Sequence, residues 1–154
     1  MKPSHFYWVL TFGSLLLVFL ILASQAGPPA PQPQNITQVC FGGNCFQVEL
    51  ALTPQEQETG LMNRTYLAPD KGMLFIFPQD GIYPFWMKDT LIPLDMIWMS
   101  SNRTVVFIGR DEQPCGPVVC PSISPGVPAR YVLEVNGETA DRIGLKVGDT
   151  LQFT

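Results

Sequence analysis

Residues 6–23 carry no charged side chain, and the stretch after them, GPPAPQPQ at residues 27–34, has nothing to bury. A Pro-rich run of that kind is stiff and extended. A core must therefore be built from the remainder of the 154-residue chain, enough for one domain. The apolar block reaches the lower end of the roughly 17–25 residues a spanning helix needs and exceeds the roughly 7–15 of a signal-peptide core. Ser24-Gln25-Ala26 offers small residues where a signal peptidase reads, so cleavage near Ala26 stands beside an uncleaved anchor, and the length favours the anchor. Lys2 precedes the block and the next Lys or Arg is Arg64, which puts the domain outside the cytoplasm on either reading. The expected organisation is a membrane anchor or signal peptide at 1–26, a linker at 27–35 and one domain at 36–154, membrane-anchored or secreted.

Charged residues make up 14% of the chain, against about 25% in an average soluble domain. The balance is acidic, nine Lys and Arg against thirteen Asp and Glu, with no basic run to neutralise phosphates. Nucleic acid is accordingly not an expected partner. The one histidine, His5, precedes the apolar block, so the outer domain lacks the commonest general base and the usual transition-metal ligand.

Cys40 and Cys45 enclose Phe-Gly-Gly-Asn, and Cys115 and Cys120 enclose Gly-Pro-Val-Val. Four cysteines allow three pairings. A turn at Gly42-Gly43 would set Cys40 opposite Cys45 across a hairpin, so two local disulfides are favoured over crossed or free thiols and over a four-thiolate zinc site. Met62, Met73, Met87, Met96 and Met99 are soft ligands in principle, but no Met-x-x-Met cluster favours copper over ordinary core filling. No metal and no cofactor are expected.

Thr53-Pro54-Gln55-Glu56 is a capping box with Pro at the first helical position, predicting a helix to about Leu61. Strands are predicted at 72–77, 85–88, 130–135 and 150–153, with a hairpin of 94–100 and 103–109 around Ser101-Asn102. A second helix is predicted over 138–143. Residues 110–129 form a long loop with five prolines and the second cysteine pair. Short strands without a regular βαβ alternation imply an α+β domain: a small curled, antiparallel-rich sheet or barrel-like domain with two short helices, preceded by an N-terminal hydrophobic helix.

Several pieces occur in a fixed order: Gly60-Leu61-Met62 with Arg64, Gly72-Met73-Leu74-Phe75, Phe85-Trp86-Met87-Lys88, Thr90, Pro93-Leu94-Asp95, Leu133-Glu134-Val135 and Gly148-Asp149. In this the chain resembles the domain of unknown function 192 family over about Cys45 to Phe153. The resemblance implies a barrel-like α+β fold and no established activity, substrate or cofactor. Asp89 stands where the family's motif usually has Asn, and Gly137-Glu138 where it usually has Ala-Gly.

The candidate ligand-binding residues are Arg64, Phe85, Trp86, Met87, Lys88, Thr90, Asp95 and Glu134. The 85–95 segment sets a cation and a carboxylate among large apolar groups, as a pocket for a polar ligand would. Asp95 shares a strand face with Ile97 and Met99, so its carboxylate needs a partner: Arg64, Lys88, or the backbone amides of a nearby turn. The structural alternative is an ion pair or a turn cap. Glu134 faces away from Leu133 and Val135, and with Asp95 it would make a carboxylate pair for hydrolysis if the two converge. The leading expectation is a non-catalytic binding module at the cell envelope for a small polar ligand or a protein partner. A hydrolase using Asp95 and Glu134, or a purely structural envelope domain, are the alternatives.

Overall fold

The computed structural model describes residues 35–116 and 118–154. The anchor or signal peptide and the linker expected from the sequence lie outside the described residues. Among the described residues, no helix is long and apolar enough to cross a membrane.

The domain opens with a hairpin of β1 (Gln38–Phe41) and β2 (Asn44–Ala51). Gly42 and Gly43 both have positive φ, 55° and 84°, the conformation a two-residue hairpin turn demands. The turn pairs Cys40 with Cys45, and a disulfide joins them. Alternation then exposes Cys45 and buries Phe46. Helix α1 (Pro54–Thr59) begins with the predicted capping box: the Thr53 hydroxyl accepts from Glu56 N at 3.2 Å, and Glu56 Oε2 accepts from Thr53 N at 2.8 Å. It stops short of Leu61 because Gly60, at φ 47°, turns out of the helix after its N–H closes on Glu56 O.

Next comes β3 (Lys71–Gly81), parallel to β2, then β4 (Leu94–Met99), β5 (Val105–Glu112) and β6 (Ala129–Asn136). Helix α2 (Thr139–Arg142) and β7 (Gln152–Phe153) close the domain. The seven strands form one sheet in the order β5-β4-β6-β3-β2-β1-β7, antiparallel except for β2–β3. Its two edges meet at one corner, where Thr104 bridges Thr150 and Leu151 N donates to Arg103 O at 3.1 Å. The result is a curled half-barrel with two short helices.

Alternation along β4 and β6 divides the core. Ile97, Met99, Leu133 and Val135 point to one face, where they join Val39, Phe46, Val105, Leu151 and Ala140 of α2. Because that cluster draws on both ends of the sheet, it fills the inside of the curl. Leu94, Met96, Trp98 and Val132 point to the other face, with Phe75, Phe77, Met87 and Leu61. Gly72 lets β3 approach β6 closely. A Cβ there would stand 2.7 Å from the Glu134 carbonyl oxygen and 3.1 Å from Val135 Cγ1. Gly72→Ala should therefore lower the urea midpoint by the equivalent of about 2 kcal/mol, the usual cost of forced overpacking.

The segment predicted as a strand at 85–88 is not one: only Phe85 pairs, in an isolated bridge to Ile123. The reason lies in the long loop. The Cys115–Cys120 disulfide closes its tip, and both cysteines and Ile123 pack on the outer-face core. One bridging residue then ties the loop to Phe85, and no neighbouring strand is available to extend the pairing. The two disulfides fit an oxidising compartment outside the cytoplasm.

Candidate functional site

On the outer face, between α1 and the 83–90 segment, lies a cleft of about 240 Å³. Its first wall is α1 and the turn after it, held to the sheet by Gln57 Nε2, which donates to Ile76 O at 2.9 Å. The opposite wall is aromatic. Tyr83 stacks on Phe77 with ring centroids 3.6 Å apart, and Phe85 meets Phe75 edge-on at 4.9 Å. Trp98 Nε1 donates to Tyr83 O at 2.9 Å and fixes that wall to the sheet. Trp86 stands at the rim, 46% exposed.

Glu134 forms part of the lining, reaching the cleft from β6, a central strand. Its side chain leaves the sheet between Met73 and Met96, cross-strand neighbours that carry no charge. Oε2 is buried and has no hydrogen-bond partner among the described residues. Burial alone pushes the carboxyl up from 4.5 to about 8, so at neutral pH it is protonated. Gly60 lies beside it and makes room for Phe75: a Cβ there would stand 3.2 Å from Phe75 Cζ, and at ordinary contact, 3.7 Å, from Glu134 Oε2. Most buried polar groups are paired, which sets this carboxyl apart.

Of the residues singled out in the sequence, Phe85, Trp86, Thr90 and Glu134 come together in this cleft. Met87 is buried beneath it in the core. Lys88 lies outside, its Nζ 5.5 Å from the centroid of the Trp86 ring. Arg64 is elsewhere, in a larger and more open depression of about 680 Å³ beside β2. There it makes a bidentate pair with Glu49 at 2.6 Å on both arms, which holds the Glu49 carboxyl below its usual range. Lys71 in the same depression is engaged by Gln47.

Asp95 is on the opposite face of the sheet, fully buried. Its Oδ1 accepts from Asp111 N at 2.7 Å and Glu138 N at 3.2 Å, and Oδ2 accepts from Ala140 N at 2.6 Å. It thus joins a bulge of β5 to the start of α2. Glu138 there has φ 63°, the left-handed conformation for which Gly, the family's usual residue at this position, is best suited. Since Asp95 and Glu134 leave adjacent strands on opposite faces, the sheet stands between the carboxyls, and no single bond or water sits between both.

Tyr83, Phe77, Phe75, Gly60 and the α1 residues Gln57, Glu58 and Thr59 are among the cleft residues that sequence reasoning did not pick out as ligand-binding. Gly60 and Phe75 both occur in the ordered motifs, which was the available signal. Tyr83 carries no such mark.

Residues 37–153 match the model of the DUF192 family, described as "Uncharacterized ACR". The chain belongs to this family. Two solved structures of bacterial proteins share its fold. A proposed transcription regulator from Sinorhizobium meliloti 1021 is 37% identical, with a TM-score of 0.68 over 75% of this chain and 90% of that one. A protein of unknown function from Novosphingobium aromaticivorans DSM 12444 is 36% identical, with a TM-score of 0.69 over 84% of this chain and 96% of that one. A search of curated proteins finds no match.

Proposed function

We propose that this DUF192 domain is a small-molecule-binding module working outside the cytoplasm, with the cleft over Glu134 as its binding site. One observation carries the reading: a buried carboxyl unpaired among the described residues opens into a cleft with one aromatic wall. Its volume falls just below the roughly 300–1,000 Å³ of drug-sized pockets, which suits a compact ligand. The two disulfides and the apolar block at 6–23 support a domain held at, or released from, the outer side of a membrane. Catalysis is the weaker reading. Asp95 is committed to three backbone amides on the far side of the sheet, which takes away the Asp95–Glu134 pair on which a hydrolase reading rested. The regulator description of the S. meliloti protein finds no support in an acidic chain without a basic run.

The test is a thermal-shift screen of the full-length, oxidised protein against amino acids, amines, sugars, nucleotides and metal ions. Thr59→Trp is the control: Thr59 is exposed, ends α1 and lines the cleft, so a large ring there blocks the mouth without touching the core. A ligand at about 100 times its dissociation constant adds roughly 2.7 kcal/mol to the native state. The expected result is a ligand-dependent rise in melting temperature that Thr59→Trp abolishes. Flat curves across the panel, or a shift that survives in Thr59→Trp, would remove the cleft as the binding site.

A further inference from the structure

We propose that the cleft selects a small organic cation, an ammonium group on a compact apolar body, with Glu134 as its counter-ion. This rests on the cleft being a ligand site, and it names the ligand's chemistry. The charged residues among its lining are both acidic, Glu134 from the sheet and Glu58 from α1, and the lining contains no Lys or Arg. An anionic ligand would find no Lys or Arg in the lining to pair with. A cation meets what is present: an aromatic wall whose partly exposed members are Tyr83, Phe85 and Trp86, and a carboxyl with an unpaired oxygen. The domain already shows this attraction at the rim, where Lys88 Nζ lies over Trp86.

Binding is coupled to a proton. The other titratable groups in the lining are Glu58 on α1 and Tyr83 on the aromatic wall, whose hydroxyl donates to Gln79 O, while β3 and β4 present Met73 and Met96 beside Glu134. Among the described residues no Lys or Arg pairs with Glu134, so the cationic ligand is what ionises it. Its arrival expels the Glu134 proton to solvent and leaves a carboxylate–ammonium pair in its place. Below the pH at which Glu134 titrates in the free protein, about 8, affinity therefore rises by about tenfold per pH unit, and above it the dependence flattens.

The experiment is isothermal titration calorimetry on the full-length oxidised protein in a maltoside detergent, which adds no charged headgroup. The probes are choline beside its uncharged isostere 3,3-dimethylbutan-1-ol, and butylammonium beside butan-1-ol. Each titration is run at pH 6, 7 and 8.5, in pairs of buffers with different ionisation enthalpies. The expected result is at least tenfold tighter binding of a cation than of its neutral partner, with close to one proton released at pH 6. Glu134→Gln should lose about tenfold or more and become pH-independent, and Thr59→Trp should lose binding altogether. If the neutral compounds bind as tightly as the cations and Thr59→Trp still abolishes it, the cation inference is overturned while the cleft survives as a ligand site. If no cation binds at tens of millimolar, the inference falls, and the wider screen alone decides whether the cleft binds anything.

Discussion

Glu134→Gln should melt at nearly the same temperature as the parent protein at pH 4.5 and well above it at pH 8.5. The Glu134 carboxyl is raised from 4.5 to about 8 by burial. Between those values the unfolded chain has released this proton and the native protein still holds it. A raised native pKa means the associated stability is fully present below about 4.5 and is lost as pH rises towards 8. Each pH unit in that window costs about 1.4 kcal/mol, so the loss reaches the order of 4 kcal/mol by pH 8. Glutamine is neutral in both states and escapes it. At roughly 3–5 °C per kcal/mol for a domain of this size, the variant should gain on the order of 10 °C at pH 8.5. Other shifted carboxyls, among them Glu112, raised by its own burial, and Glu49 and Glu56, lowered by their hydrogen bonds, are common to both proteins and cancel. Melting curves from pH 4.5 to 9 for the pair decide it. Parallel profiles would mean that Glu134 is ionised in the native state, and the argument for a ligand-supplied partner would go with them. A gain at high pH would show stability given up at the cleft, the usual signature of a site kept for function.

Asp95→Ala should be the most damaging single substitution outside the apolar core. One side chain satisfies three amides from two separate segments, Asp111 on β5 and Glu138 and Ala140 at the start of α2. Truncation leaves all three N–H groups facing a space too buried for easy hydration. Each buried, unsatisfied donor costs about 1–3 kcal/mol, so a total near 4 kcal/mol or more is expected, against the roughly 5–15 kcal/mol of a typical domain. Asp95→Asn keeps the shape but turns an NH2 towards one of these donors, and should fall between. Urea denaturation followed by circular dichroism gives the comparison. Loss of less than 1 kcal/mol in Asp95→Ala would show that these amides find other partners. Where Asp95→Asn still folds, its cleft should bind the same probes as the parent, because the carboxylate acts on the other face of the sheet.

Local features were legible in the chain. The capping box at Thr53 and Glu56 is a contact between residues three apart, and it formed as the sequence predicts. The Gly42-Gly43 turn set the Cys40–Cys45 pairing, because a two-residue turn fixes which residues face each other. Alternation along β4 and β6 put Asp95 with Ile97 and Met99 and turned Glu134 away from Leu133 and Val135, both as the pleat requires. Residues 85–88 show the limit. Their apolar character suits a strand, yet a strand exists only where a neighbour offers a matching edge, and here the disulfide-closed loop offers one residue.

The cleft belongs to the same limit. Grouping Lys88, Asp95 and Arg64 with the aromatic segment follows from closeness along the chain and from the need of a buried carboxylate for a partner. The fold answered that need differently. Asp95 took backbone amides, Arg64 took Glu49, and Lys88 lay against Trp86. The carboxyl left without a partner is Glu134, brought to Gly60, Tyr83 and Phe85 by strand order and by the packing of α1. The sequence by itself determined the separate N-terminal block, the local disulfides, the helix start, the side of the sheet each strand residue faces and the family. Which face carries the cleft, and which carboxyl in it goes unpaired among the described residues, only the tertiary structure decided. Pairing depends on distances between residues far apart in the chain, and those exist only once the sheet has curled.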